Sequence, residues 1–322
     1  MPRGRKLIKM SESETCNLIT ASQEFYQHNF VKALANETQK TYKVYVNCFV
    51  KWCGDKTLLT DVTPKMLEDY IAKKLEDGNR PVSIKTNMVH LRRFFNFCHT
   101  RGYMEKLEII IPRYEKKVKE AYSDEDIQKL LARPKTNNWV EYRNWTMVNY
   151  FLGTGQRVST VLNIKVADVD LEAGKVHLRH NKDRIEKLIP LSTALIKVLK
   201  EYIDLSELHT EDYLFPEYEG QQLRRRSAQD AIADYNKSRG VNVTSIHRFR
   251  HTFAKHFLMN GGSAVQLQKL LNHKTIGQTM EYVHLYVDDI ARDYDIFNPL
   301  DSLIRKQHKP MKRTTIALRE VQ

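Results

Sequence analysis

Four cysteines are few for a chain of 322 residues, and their placement excludes more than their number. Cys16, Cys48, Cys53 and Cys98 all fall in the N-terminal third, and none forms a CxxC pair or a Cys/His set at zinc-ligand spacing. No structural metal and no cofactor is implied. Cys48, Cys53 and Cys98 sit in apolar helical patterns and are expected as reduced core residues. Long apolar runs are missing too: nothing approaches the roughly 20 residues that span a bilayer. The N-terminus opens Met1-Pro2-Arg3-Gly4-Arg5-Lys6 without an apolar segment behind it, which is not a secretory signal. A soluble, cytoplasmic protein with no membrane partner is the expectation. Internal repeats and low-complexity tracts are absent as well.

Acidic residues are outnumbered, 39 against 52 Lys plus Arg, which leaves a net charge of +13. Such an excess favours polyanions and draws nucleic acid by counterion release, although solubility alone also uses surface charge. Hydrophobic residues make up 41% of the chain, enough for globular cores, and the length favours two domains.

Residues 1–21 read as a flexible basic arm. From Ser22 the pattern is helical: Thr38, Tyr42, Tyr45, Phe49 and Trp52 recur at three- or four-residue steps, and Thr63-Pro64 opens a further helix. Another runs from Ser83, expected as its N-cap, through Ile84, Met88, Leu91, Phe94 and Phe95 to a stop at Gly102. Its other face carries Lys85, Asn87, His90, Arg92 and Arg93, either a solvated surface or a DNA contact. Residues 22–110 thus read as an all-helical domain. Residues 111–120 lack an apolar period and read as a linker. In the second domain, residues 121–300, Ser123-Asp124-Glu125-Asp126 starts a helix, and Trp145 to Leu152 is expected as a buried helix ending at Gly153. Short strands are expected at Val166 to Val169, at Lys175 to Arg179 and at Leu188 to Leu191, the last two as a hairpin. The fold class expected is mainly α with a small antiparallel β-sheet, followed by a basic tail at 301–322.

The chemistry is concentrated near the C-terminus. His247-Arg248-Phe249-Arg250-His251 is followed by Leu271-Asn272-His273 and by Thr279-Met280-Glu281-Tyr282, and Gly153-Thr154-Gly155-Gln156-Arg157 lies upstream. Arginines match phosphate oxygens with paired donors. A tyrosine can form a covalent intermediate once its proton is removed. His247 and His251 are four apart, but HExxH and a third ligand are missing, so a metal is not indicated; His251 reads as a structural hydrogen-bonding residue and His256 as a surface or packing residue.

In order and spacing, Arg157, a hairpin lysine, His247-x-x-Arg250, His273 and Tyr282 resemble the tyrosine recombinase (phage integrase) family, from about residue 22 to residue 300. The resemblance implies a helical SAM-like core-binding domain and a mixed α+β catalytic domain that together clamp duplex DNA. It implies strand cleavage and rejoining through a 3′-phosphotyrosine formed by Tyr282. Arg157 and Arg250 would hold the scissile phosphate. His247 would be a hydrogen-bonding partner and candidate base, and His273 would donate to a phosphate oxygen. Lys182, eight residues before Pro190, would protonate the leaving 5′ oxygen, with Arg184 and Lys187 as rivals. Tyr286 and Tyr294 lack the matching offset from His273. Two positions depart from the family pattern: Asn272 stands where glycine is commoner, a mild change because Asn tolerates left-handed backbone, and Thr160 stands where an acidic residue is frequent.

The resemblance further implies a homotetramer on two DNA sites with inverted-repeat cores and a Holliday-junction intermediate. Val287 to Asp295 reads as helical, and the apolar residues around Ile296 and Leu303 would dock either on a neighbouring protomer or on their own domain. Lys85, Arg92 and Arg93 gain weight as DNA contacts. Integration or excision of a mobile element is the role expected, with Xer-type chromosome or plasmid dimer resolution as an alternative. A type IB topoisomerase and a catalytically silent DNA-binding protein of the same fold are the remaining readings.

Overall fold

A computed structural model of the chain describes residues 16–54, 56–112, 120–135, 138–179 and 186–286, with residues 284–286 described by backbone alone. The expectations for the basic arm up to residue 15, the centre of the linker, Lys182, Arg184, Tyr294 and the C-terminal segment lie outside the described residues. The chain divides into two compact units, Met1–Lys117 and Val118–Gln322.

The first unit is helical. α1 spans Leu18–Val31, and the Asn17 side chain caps it by accepting from the Thr20 N–H at 2.8 Å. α2 spans Asn36–Cys53, and α3 spans Pro64–Glu76 behind a Thr63 cap. α4 spans Pro81–Thr100. Its start differs from the Ser83 expected: Pro81 occupies the first turn, where a missing N–H costs nothing and φ is already helical. Phe25, Phe49, Tyr70, Phe94 and Phe95 pack edge to face or tilted in the core.

The outer face of α4 is narrower than its sequence suggests. Asn87 is buried and donates to the Tyr70 hydroxyl at 3.0 Å. His90 stacks on Tyr45 and meets Tyr42 edge on. Both therefore belong to packing, and Arg92 and Arg93 remain exposed with Lys85 half-buried. Of the cysteines, Cys98 is buried and Cys53 half-buried, but Cys48 is exposed, contrary to its expected core placement. Position 48 turns outward from α2 while Val46, Phe49 and Val50 turn inward.

In the second unit α5 (Asp124–Leu131) begins at a Ser123 cap with three acidic residues in its first turn. α6 runs Trp139–Thr154 through the middle of the core, packed by α8 (Thr193–Leu205), α9 (Arg225–Ser238) and α10 (Ile246–Met259). It ends at Gly155 rather than at Gly153. Gly153 stays helical against Leu195, whereas Gly155 has φ +62° and forms the left-handed cap. α7 is short, Val158–Val161.

The sheet is antiparallel in the order β1 (Val169–Asp170), β2 (Lys175–Leu178), β3 (Lys187–Pro190). Val176 pairs with Ile189 and Leu178 with Lys187. Residues Val166–Asp168 form a tight helical turn instead of strand. The Asp168 carboxylate accepts from the Lys165 N–H, and the N–H groups of Val166 and Ala167 donate to carbonyls of Asp212 and Thr210. α11 (Ala264–Leu271) and α12 (Ile276–Tyr286) complete the unit. No helix among the described residues is long and apolar enough to cross a membrane.

Candidate active site

Two helix C-termini and two arginines build the site. Gly155 ends α6, and a Cβ there would stand 2.4 Å from Phe253 Cδ1 and 2.8 Å from Leu271 Cδ2. Only glycine combines that close approach with the left-handed turn. Gln156 follows, buried, and its amide donates to the Leu270 carbonyl at 2.8 Å, fastening the turn to α11. This places Arg157 at the start of α7, with Nη1 donating to the Asn272 carbonyl at 3.5 Å.

Arg250, on α10, is buried. Nη1 donates to the Gly155 carbonyl at 2.9 Å and Nη2 to the Leu271 carbonyl at 2.6 Å. Both guanidiniums therefore rest on carbonyls at the ends of α6 and α11, where orphan acceptors and the negative end of the helix dipole favour cations. Burial, and next to it the Arg157 charge, pull the Arg250 pKa down to about 10, while the neighbouring Tyr282 opposes the fall. At neutral pH the group stays protonated.

Asn272 caps α11 with φ +53°, the left-handed conformation that its sequence position implied. Its side-chain oxygen accepts from Lys187 Nζ on β3. His273 comes next, with Nδ1 2.7 Å from the Thr279 hydroxyl of α12 and its ring stacked on Tyr282, 6.0 Å between centroids and 7° between planes. Burial, followed by the Arg250 and Arg157 charges, lowers its pKa to about 4. His273 is neutral at physiological pH.

Tyr282 lies on α12, 8% exposed, in a satellite core with Ala254, Leu267 and Leu271. His251 is a second ring neighbour, 5.5 Å between centroids and tilted by 46°. The structure thus brings Arg157, Arg250, His273 and Tyr282 together. His247 is exposed one turn before Arg250 on α10. Thr160 is buried in α7, its N–H donating to the Arg157 carbonyl at 2.9 Å. Lys182 lies outside the described residues, while its rival Lys187 reaches the site through Asn272. Lys85, Arg92 and Arg93 belong to the first unit and are placed on α4 alone.

Three contacts of the site are not carried by the motif. His251, read as a structural hydrogen-bonding residue, is a ring neighbour of Tyr282; its place directly after Arg250 is the available signal. Thr279, three residues before Tyr282 and so on the same helical face, could have been read from spacing. The Lys187–Asn272 contact joins residues 85 apart and had no sequence signal.

The Phage integrase family model matches residues 121–288, a little over half of the chain. The Phage integrase, N-terminal SAM-like domain model matches residues 23–102. Tyrosine recombinase XerD of Pseudomonas aeruginosa is 28% identical over 264 residues, which cover 79% of this chain and 88% of that protein. Tyrosine recombinase XerC of Thermodesulfovibrio yellowstonii is 25% identical over 300 residues, covering 86% and 97%. Among solved structures, the Tn1549 transposon integrase in complex with circular intermediate DNA has a TM-score of 0.71 at 16% identity, covering 86% of this chain and 98% of that one. A lambda integrase dimer bound to a core site has a TM-score of 0.66 at 17% identity, covering 82% and 97%; at such identities the likeness is one of fold. The chain belongs to the phage integrase family, the tyrosine recombinases.

Proposed function

We propose that this protein is a site-specific DNA recombinase in which Tyr282 attacks a scissile phosphate held by Arg157 and Arg250. The observation that carries the reading is the convergence of two carbonyl-anchored guanidiniums on a buried phenol that has two imidazoles as ring neighbours. A phosphodiester entering there meets donors already in place, so charge gathering on its oxygens needs no reorganisation. Neutral His273 would take the tautomer in which Nδ1 accepts from the Thr279 hydroxyl and Nε2 carries the proton, which it would donate to a phosphate oxygen. His247 would serve as a further hydrogen-bonding partner or base.

Cleavage links the 3′ phosphate to Tyr282 and releases a 5′ hydroxyl, protonated by Lys182 as the family resemblance implies. The phosphotyrosine conserves bond energy, so a hydroxyl from a partner strand reverses the step without ATP. The DNA partner is duplex with inverted-repeat core sites, gripped by residues 22–110 with Lys85, Arg92 and Arg93 and by residues 121–300. A homotetramer on two sites would exchange strands through a Holliday junction. The role is integration or excision of a mobile element. Its support is the likeness in fold to the Tn1549 transposon integrase in complex with circular intermediate DNA. The near-complete coverage of the XerD and XerC relatives favours a second reading, resolution of chromosome or plasmid dimers.

The test begins by selecting bound duplexes from a randomised pool and building a nicked suicide substrate from the selected sequence. Wild type is expected to form a covalent adduct on it. Tyr282→Phe is expected to form none while still retarding the same duplex. Absence of an adduct with wild type would reduce the protein to a DNA-binding module of the same fold. Junction formation between two such sites separates recombination from relaxation by a topoisomerase.

A further inference from the structure

We infer that Lys187 is a positioning residue for this active site, acting through the side chain of Asn272. The inference rests on the site reading above. Lys187 opens β3, and its ammonium donates to the Asn272 side-chain oxygen. β3 is the edge of a three-stranded sheet whose strands are at most four residues long, so pairing alone fixes its outer side weakly.

Asn272 joins three elements. Its side chain meets β3, its carbonyl accepts from Arg157, and its backbone passes directly to His273, whose ring lies on Tyr282. A glycine would satisfy φ +53° equally well, but it would offer Lys187 no acceptor. The asparagine supplies both the left-handed cap and the acceptor. Held from β3, the cap keeps its carbonyl aimed at Arg157 and keeps His273 flat against the nucleophile. Misplacement of a reacting group by about 1 Å is enough to cost on the order of 100-fold in rate. The ammonium touches the amide of Asn272 and is assigned no contact with the reacting atoms.

The experiment uses the nicked duplex of the selected sequence and reads the cleavage rate constant at saturating DNA separately from duplex affinity. Lys187→Met keeps an unbranched side chain one atom shorter and removes the donor. Asn272→Gly keeps the backbone conformation and removes the acceptor. Each is expected to slow cleavage by about 10- to 100-fold, with affinity held within about 3-fold. Lys187→Arg, which retains a donor, is expected to restore most of the rate. The double variant should be no slower than the slower single one, because both remove the same interaction.

Wild-type cleavage by Lys187→Met would overturn the proposal. So would rate and affinity falling in the same proportion, or single losses that multiply in the double variant. Should Lys187→Met melt early, the comparison of Asn272→Gly with wild type decides the matter: wild-type cleavage by Asn272→Gly would overturn the proposal. A wild-type adduct that persists in Tyr282→Phe would overturn the site reading and this proposal together. A tyrosine-dependent adduct with Lys187→Met unchanged would overturn the positioning role alone.

Discussion

Replacing Gly155 by alanine tests whether the turn after α6 is the foundation of the arginine pocket. Two costs can be separated. Holding an L-residue near φ +62° costs about 1–2 kcal/mol. A methyl group directed 2.4 Å from Phe253 Cδ1 and 2.8 Å from Leu271 Cδ2 forces two packed side chains aside, an overpacking cost of about 1–3 kcal/mol. Gly155→Ala should therefore lose about 2–5 kcal/mol. At about 2–4 °C per kcal/mol for a domain of this size, the melting temperature should fall by on the order of 10 °C. Gly261→Ala is the control, since Gly261 has φ +86° with nothing within 4 Å of an added Cβ. It should show the backbone cost alone. Urea denaturation of both variants measures the difference directly. Because the Gly155 carbonyl anchors Arg250, adduct formation by Gly155→Ala should also fall further than by Gly261→Ala. Equal destabilisation by the two substitutions would refute the packing argument.

The remaining predictions concern protons and DNA. His273, pulled down to about 4 from 6.5 by burial and by Arg250 and Arg157, binds its proton more readily unfolded than folded. Stability should therefore rise with pH between about 4 and 6.5. Some 2.5 units at 1.36 kcal/mol each give about 3 kcal/mol, and partial solvent access reduces this to about 1–2 kcal/mol. His273→Asn should remove that slope in urea denaturation followed against pH; parallel curves for the two proteins would refute the assignment. Arg92 and Arg93 are exposed on α4. If they neutralise phosphates, replacing both by glutamine should reduce the slope of log affinity against log salt by about 2. An unchanged slope would make that face a solvated surface.

Much of this protein was legible from residue order. Helix starts at Thr63-Pro64 and Ser123 follow local capping chemistry and recur in the structure. The hairpin strands follow from two-residue alternation, and Val176, Leu178 and Ile189 are buried as that alternation requires. Boundaries were less legible where two local rules competed. Pro81 outranked Ser83 as a helix start because proline suits the first turn, and Gly155 outranked Gly153 as a stop because only the packed neighbours decide which turn must be left-handed. Asn87, His90 and Cys48 fell on the wrong side of their helices for a related reason: a helical period identifies faces, but the neighbouring helix decides which one is covered.

The sequence by itself determined the residue types, their order and the family, since Arg157, His247-x-x-Arg250, His273 and Tyr282 depend on spacing along the chain. Only the tertiary structure decided what those groups rest on. Both arginines are seated on carbonyls of two helix ends, one imidazole is made neutral by burial beside two guanidiniums, and a strand lysine fastens the residue before it. Each of these joins segments far apart in the chain. Burial, charge and hydrogen-bond direction are properties of neighbours in space, and they exist only once the helices have packed.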